Sequence, residues 1–148
     1  MEGAAGCPLR RQRLAPLSMV IDTSALMAIL KAEPEAADFL RCLSRSELSL
    51  LSTATRLETS LVVEGQLGAA GLPELELLLS RAGVETVPFE LSHWHWALQG
   101  WRRYGKGRHK AALNLGDCFS YGLARALDQP LLFKGEDFSL TDLASAGL

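Results

Sequence analysis

Short apolar runs alternate along the chain with longer stretches in which apolar residues recur every three or four positions. Met19-Val20-Ile21-Asp22 reads as a short buried strand ending in an acid. Thr23 and Ser24 are good helix N-caps, and a short helix is predicted over residues 25–30. Pro34 suits the first turn of a second helix that runs to about Arg45, with Ala37, Leu40, Cys42 and Leu43 toward its apolar side. Residues 48–51 form the second predicted strand. Ser52 or Thr53 then caps a helix through about Val63, which Gly65 and Gly68 help to end. A helix over residues 72–81 carries Leu75, Leu78 and Leu79 at helical spacing and closes at Gly83. Residues 84–87 read as a third strand, stopped by Pro88. The next helix, residues 92–104, sets Trp94, Ala97, Leu98 and Trp101 on one face. A loop over 105–114 leads to a helix over 115–127, with Leu115, Phe119 and Leu123 in register, and residues 131–133 read as a fourth strand.

Strands that alternate with helices or helix pairs favour an α/β fold: a three-layer α/β/α domain with a mostly parallel central sheet. In such a fold the ligand site lies beyond the carboxyl ends of the strands. The 148 residues suit one compact domain, and 48% hydrophobic content allows a real core. The net charge of -2 excludes bulk electrostatic attraction to a polyanion, so any nucleic acid must be held by a local basic patch or by bound cations. Cys7, Cys42 and Cys118 are odd in number and widely spaced, which speaks against a disulfide framework or a zinc site and for reduced thiols in a cytoplasmic setting. No apolar run approaches the roughly 18–20 residues of a membrane span. Residues 1–18, rich in Ala, Gly, Pro and Arg, differ from the rest. They are expected to be a disordered or mis-annotated extension ahead of a natural start at Met19, with a basic arm of Arg10, Arg11 and Arg13 as the alternative. Residues 19–148 then form the single domain.

Four acids stand at informative places. Asp22 ends the first strand, where a carboxylate either caps the next helix or faces the open edge of the sheet. Glu58 shares a helical face with Ala54, Leu61 and Val62, beside an apolar stripe; otherwise it is a boundary acid that reaches solvent or pairs with Arg56. Asp117 falls in the first turn of its helix, where an acid also suits the positive helix terminus. Asp137 follows the fourth strand in a polar turn with Gly135. Each position has an ordinary structural reading, but a parallel sheet can bring all four to one edge. Two carboxylates ~5 Å apart repel by roughly 3 kcal/mol at an effective dielectric of about 20. Three or four together partly protonate unless a cation sits among them. Oxygen ligands alone favour Mg²⁺ or Mn²⁺ over zinc. Such an ion activates water for in-line attack on a phosphodiester without a Cys or His nucleophile.

Val20-Ile21-Asp22-Thr23-Ser24-Ala25-Leu26, Arg56-Leu57-Glu58, Asn114-Leu115-Gly116-Asp117-Cys118-Phe119 and Leu132-Phe133-Lys134-Gly135-Glu136-Asp137-Phe138 resemble, in order and spacing, the four acidic motifs of VapC-type PIN-domain ribonucleases, the toxins of type II toxin–antitoxin systems. The resemblance spans about residues 19–143. It implies a PIN-like α/β/α domain, often a homodimer, that cuts RNA as a Mg²⁺- or Mn²⁺-dependent endoribonuclease. The family's catalytic and metal-binding acids carry over to Asp22, Glu58, Asp117 and Asp137, with Glu136 adjacent to the last, and Thr23 or Ser24 would orient the site. It also implies a VapB-like antitoxin whose apolar segment lies in a groove of the first helices, where Leu26, Leu30, Phe39 and Leu43 either line the groove or pack in the core.

Arg102, Arg103, Lys106, Arg108 and Lys110 form a basic stretch just before the Asp117 helix, placed to hold RNA phosphates, with Tyr104 and His109 as candidate base-stacking rings. Trp94 and Trp101 share an apolar helix face, which favours core packing. His93 and His95 do not form a metal pair, and Cys118 reads as a small buried residue. Lys134 is placed to meet a phosphate or a site acid. Two rivals remain. One is an Asp-based phosphoryl-transfer domain of phosphatase or receiver type; this chain has Ser24 where the phosphatase needs its second acid, and lacks the receiver's acidic pair. The other is a non-catalytic PIN-like interaction module.

Overall fold

The structure is a computed structural model and describes residues 18–147. The expectation for residues 1–18 falls outside these, apart from Ser18, which opens the first strand. Strands β1 (Ser18–Ile21), β2 (Leu48–Ser52), β3 (Val84–Val87) and β4 (Leu131–Leu132) form one sheet in the order β3-β2-β1-β4, with every pair parallel. Between them run α1 (Thr23–Leu30), α2 (Ala36–Arg45), α3 (Thr53–Leu67), α4 (Gly71–Arg81), α5 (Leu91–Tyr104) and α6 (Leu115–Leu127).

The two-residue repeat of a strand explains the layers. Met19 and Ile21 of β1, Leu51 of β2 and Leu132 of β4 point into a core with α1 to α4. Val20, Leu50 and Leu131, each one residue away, point into a second core with α5 and α6. The chain steps from β1 to β2 to β3 in one direction and then jumps back across β1 to β4. Right-handed crossovers put helices on opposite faces when the direction reverses, and the carboxyl ends of β1 and β4 flank that switch point. The expected α/β/α fold is therefore borne out.

Local differences have local causes. Asp22, rather than Thr23 or Ser24, caps α1: its side chain accepts from the Ser24 N–H at 3.0 Å. Helix α3 continues through Gly65 to Leu67 and ends at Gly68, whose φ of 76° suits glycine. Its buried stripe is Thr55, Thr59 and Val63, one residue over from the predicted face, while Leu61 is 63% exposed. Leu26, Phe39 and Leu43 lie in the core under α1 and α2, and Leu30 packs partly buried against it, while Leu43 also lines a surface cavity.

Helices α5 and α6 approach closely through small residues. A Cβ on Gly122 would fall 2.5 Å from the carbonyl oxygen of His93 and 2.9 Å from Cβ of Ala97. Asp142 ties the C-terminal segment to this pair, accepting from the Tyr121 hydroxyl at 2.9 Å and facing Arg103 and Arg125 at 3.6 and 3.5 Å. Substitution Gly122→Ala should cost about 2 kcal/mol and lower Tm by roughly 6–10 °C. An unchanged melting curve would mean that the helices do not pack at this distance.

Candidate active site

Asp22 is the fixed point of the site. It leaves β1 at the switch point, where its N–H donates to the carbonyl of Leu132 at 2.9 Å. Its side chain is only 4% exposed. Oδ2 accepts from the Ser24 hydroxyl at 2.6 Å and Oδ1 from the Ser120 hydroxyl at 2.6 Å. Capping a helix and facing the sheet edge are thus one arrangement, since α1 begins at that edge. Ser24 in turn accepts from the backbone N–H of Lys134 at 2.9 Å, so the loop after β4 is pinned beside Asp22.

Glu58 comes from the second turn of α3. Its Oε1 accepts from the Thr23 hydroxyl at 2.5 Å, and the Thr59 hydroxyl stands 2.9 Å from that of Thr23. Arg56 does not pair with Glu58; it holds Glu76 at 2.5 Å and Thr86 at 2.7 Å. The Glu58 carboxylate rests on Gly116, the residue before Asp117. A Cβ at Gly116 would lie 1.3 Å from Glu58 Oε2, so glycine is what lets α3 and α6 bring two acids together. Asp117 occupies the third position of α6 in a reciprocal capping box: its Oδ2 accepts from Asn114 N–H at 3.0 Å, and Asn114 Oδ1 accepts from Asp117 N–H at 2.9 Å. Asp137 is exposed, at the start of a 3₁₀ turn (Phe138–Leu140).

The electrostatics join these four. Burial pushes Asp117 up to about 6, and the charges of Asp22, Glu58 and Asp137 add to the rise against the opposing Asn114 hydrogen bond. Burial also raises Glu58, with Asp22 adding to it and the Thr23 bond working against it. Asp137 adds to the charge felt at Asp117, and Glu136 lies exposed beside it. Among the described residues no three acids stand close enough to hold one ion as oriented. The chemistry of the donor set nevertheless fits a hard divalent cation: oxygen donors only, with an excess of negative charge in a partly buried cup.

Other expected residues fall elsewhere. Lys134 pairs with Glu33 and Glu35, away from the four acids. Tyr104 is buried against Tyr121, so its ring is not presented for stacking on a base, and the half-buried His109 packs edge-on against it with Nδ1 accepting from the Ala111 N–H. The five basic side chains are exposed; Arg103 faces Asp142, and Arg108 lies 4.2 Å over the Trp101 ring. Trp94 and Trp101 are 53% and 40% exposed rather than packed in the core. Burial and the neighbouring Asp117 push the Cys118 thiol up to about 11, which makes it a poor nucleophile. Sequence reasoning missed Thr55, Thr59, Ser120 and Gly116. Their one available signal is the run of small polar residues on the inner faces of α3 and α6, which hydropathy reads as noise.

Fold and site define a doubly wound α/β domain with a carboxylate cup at its switch point. The sequence matches the PIN domain family over residues 19–143. Ribonuclease VapC30 of Mycobacterium tuberculosis is 52% identical over 130 residues, covering 88% of this chain and 99% of that protein. A ribonuclease VapC of Mycolicibacterium smegmatis is 51% identical over 127 residues, covering 86% and 98%. Among solved structures, Mycobacterium tuberculosis VapC20 superposes with a TM-score of 0.70 at 15% identity, covering 88% of this chain and 99% of that one. The chain belongs to the PIN domain family.

The raised Asp117 has a consequence for the metal-free protein. Its folded pKa of about 6 exceeds the ordinary 3.8, so the fold binds this proton more tightly than the unfolded chain does. Stability in chelator should therefore fall as pH rises from about 4 to about 6, and then level off. Asp117→Asn should remove this loss, raising stability above pH 6 by on the order of 1 kcal/mol after solvent screening, a few degrees in Tm. Thermal melts in chelator across that pH range measure it; a variant less stable than its parent at pH 7 would refute the repulsion.

Proposed function

We propose that this protein is a divalent-metal-dependent endoribonuclease and the toxin of a VapBC-like toxin–antitoxin pair. The observation that carries the reading is the Glu58 carboxylate lying over Gly116 beside Asp117, at the sheet edge where Asp22 leaves β1, in a chain about half identical to proteins named VapC ribonucleases. Asp22, Glu58, Asp117 and Asp137 would hold the ion, Mg²⁺ or Mn²⁺ by their oxygen chemistry. When bound, it supplies a water of lowered pKa and draws charge from the phosphodiester. The chain's own residues set the geometry. Ser24 and Ser120 hold both oxygens of Asp22, and Thr23 holds Glu58, so these two carboxylates keep their aim when RNA arrives. Lys106, Arg108, Arg102 and Lys110 stand exposed ahead of α6 to bind flanking phosphates. Arg103 contributes less, being committed to Asp142. An RNA substrate sets the site of action in the cytoplasm, and the free thiols of Cys42 and Cys118 suit it. Among the described residues no helix is long and apolar enough to cross a membrane.

A receiver-type reading needs Lys134 beside Asp22, whereas its ammonium is engaged by Glu33 and Glu35. The non-catalytic reading gains nothing from a cup in which all four acids are kept. An antitoxin's apolar segment would lie between α1, α2 and α4. There a cavity of about 640 Å³ is walled by Ile29, Leu40, Leu43, Leu77 and Leu78, with Leu40 and Leu77 half exposed. Leu43 belongs to both the core and this groove; Leu26 does not reach it.

Asp22→Asn and Asp117→Asn should each lower RNA cleavage by about a hundredfold or more with the fold intact, since the amide keeps the shape but not the charge that holds the ion. Cleavage by the unmutated chain should stop in excess chelator and return with Mg²⁺ or Mn²⁺. Persistent cleavage in chelator would remove the metal from the reading. Leu40→Asp with Leu77→Asp should weaken capture of the cognate antitoxin by at least about tenfold and leave RNA cleavage unchanged. An equal affinity in a pull-down titration would move the antitoxin to another face.

A further inference from the structure

The loop after β4 sets a lysine beside the acidic cup, and two glutamates hold its charge elsewhere. The backbone N–H of Lys134 donates to the Ser24 hydroxyl at 2.9 Å, and that hydroxyl donates to Asp22 Oδ2 at 2.6 Å. The main chain of Lys134 therefore stands one hydroxyl group away from the Asp22 carboxylate. A lysine stem is flexible and spans about 6 Å, enough to bring the ammonium onto that carboxylate from this position. The side chain turns the other way. Its ammonium pairs with Glu33 and lies 3.4 Å from Glu35 Oε2. Lys134 and Glu35 line a cavity of about 410 Å³ against α2, together with Phe133 and Gly135, and none of the four site acids borders it.

The turn between α1 and α2 places the two glutamates for this. Helix α1 ends in a Schellman motif: the Glu33 N–H donates to the Ala28 carbonyl at 2.9 Å, and the Ala32 N–H to that of Ile29 at 3.1 Å. Ala32 fills the left-handed position, with φ of 51°, where glycine is usual. The turn that aims Glu33 is thus kept at a conformational cost. The Glu33 side chain is only 22% exposed and is shared between Lys134 and Lys31, the latter at 3.5 Å. Glu35 holds the N-cap position of α2 yet makes no capping bond. Its Oε2 is buried without a hydrogen-bond partner, so the facing ammonium is what balances it.

We propose that Glu33 and Glu35 are positioning residues that hold the Lys134 ammonium off the carboxylate cup and so keep the cup open to a divalent cation. The inference rests on the nuclease reading and deepens it by naming what protects the ion's seat. A tethered ammonium competes with a free ion at an effective concentration on the order of millimolar. Once on Asp22, it would satisfy part of the cup's charge and leave less for the ion. With both glutamates neutral, the ammonium loses its two partners and turns to the neighbouring Asp22. Neither glutamate touches the ion or the RNA; each acts through Lys134.

The test reads Mn²⁺ binding to the full chain without RNA, by isothermal titration calorimetry at neutral pH. Glu33→Gln with Glu35→Gln should weaken Mn²⁺ binding by about 10-fold or more. Adding Lys134→Met should restore most of it. Adding Lys31→Met instead removes the same charge from the other partner of Glu33 and should restore little. In cleavage assays the double Gln variant should need about 10-fold more Mn²⁺ for its half-maximal rate and reach nearly the parent's rate at saturation. Glu35→Gln alone leaves the α1–α2 turn intact and should show a smaller loss with the same rescue, which covers a double variant that does not fold. Unchanged Mn²⁺ affinity in the folded Gln variants overturns the proposal. So does equal rescue by Lys31→Met and Lys134→Met, which assigns the effect to overall charge, or rescue by neither, which leaves the glutamates a structural role only. A parent that binds no Mn²⁺ overturns this proposal and the metal-dependent reading together. Cleavage by the unmutated chain is read separately: rescue specific to Lys134→Met, with no cleavage of RNA, would sink the nuclease reading and leave the positioning role standing.

Discussion

Mutual repulsion of carboxylates is the constraint around which the carboxyl edge of the sheet is arranged. Acids gathered in a half-buried cup tend to swing apart or take up protons: burial raises both Asp117 and Glu58, and the charges of their neighbours add to the rise. The fold opposes it with hydroxyl groups rather than with cationic side chains. Ser24 and Ser120 donate to Asp22, and Thr23 donates to Glu58 with Thr59 beside it. Thr55 stands 3.4 Å from Ser120, linking the α3 and α6 sides of this network at long range. Neutral donors hold the carboxylates in place without cancelling their charge. A lysine or arginine in the same place would hold them more firmly and occupy the seat of a divalent ion. Lys134, whose backbone N–H is tied to Ser24, turns its ammonium instead to Glu33 and Glu35.

That choice explains what could be read from the sequence and what could not. The strands were legible because a parallel sheet covered on both faces needs short continuous apolar runs, and those runs are bounded here by Asp, Ser, Gly and Pro. The acids were legible by their order along the chain, one after β1, one in α3, one at the start of α6 and one after β4. Their hydroxyl partners were not, because Ser120 lies 98 residues from Asp22, and Thr55 and Thr59 resemble ordinary helix-surface residues. The same polar lining shifted the apparent face of α3. With Thr55 and Thr59 inside, a hydropathy pattern points to Leu57 and Leu61, which face solvent. Trp94 and Trp101 misled in the opposite direction: helical spacing marks a face as apolar but does not say whether protein or solvent covers it.

Helix α6 carries the largest share of conflicting demands. Its first turn must expose Asp117 to the cup, admit the Glu58 carboxylate over Gly116, and present Asn114 to a neighbouring aromatic groove lined by Trp94 and Trp101. Two turns later it must lie against α5, where Gly122 meets the His93 carbonyl and Gly100 of α5 meets the Tyr121 ring. Glycine is a poor helix former, costing about 1 kcal/mol relative to alanine at each interior position. Gly116 and Gly122 are therefore retained for the contacts they permit, and stability is yielded locally so that α6 can serve the acidic site and the second core at once.

The order of these contacts along α6 puts two surfaces on one short helix end. Leu115 and Phe119 face the aromatic groove while Asp117, between them, faces the cup, so both surfaces turn with one short helix end. The Asn114–Asp117 capping box is the hinge of that arrangement, since each residue satisfies the other's backbone N–H. A ligand that draws the Asp117 carboxylate toward the cup must loosen its bond to the Asn114 N–H.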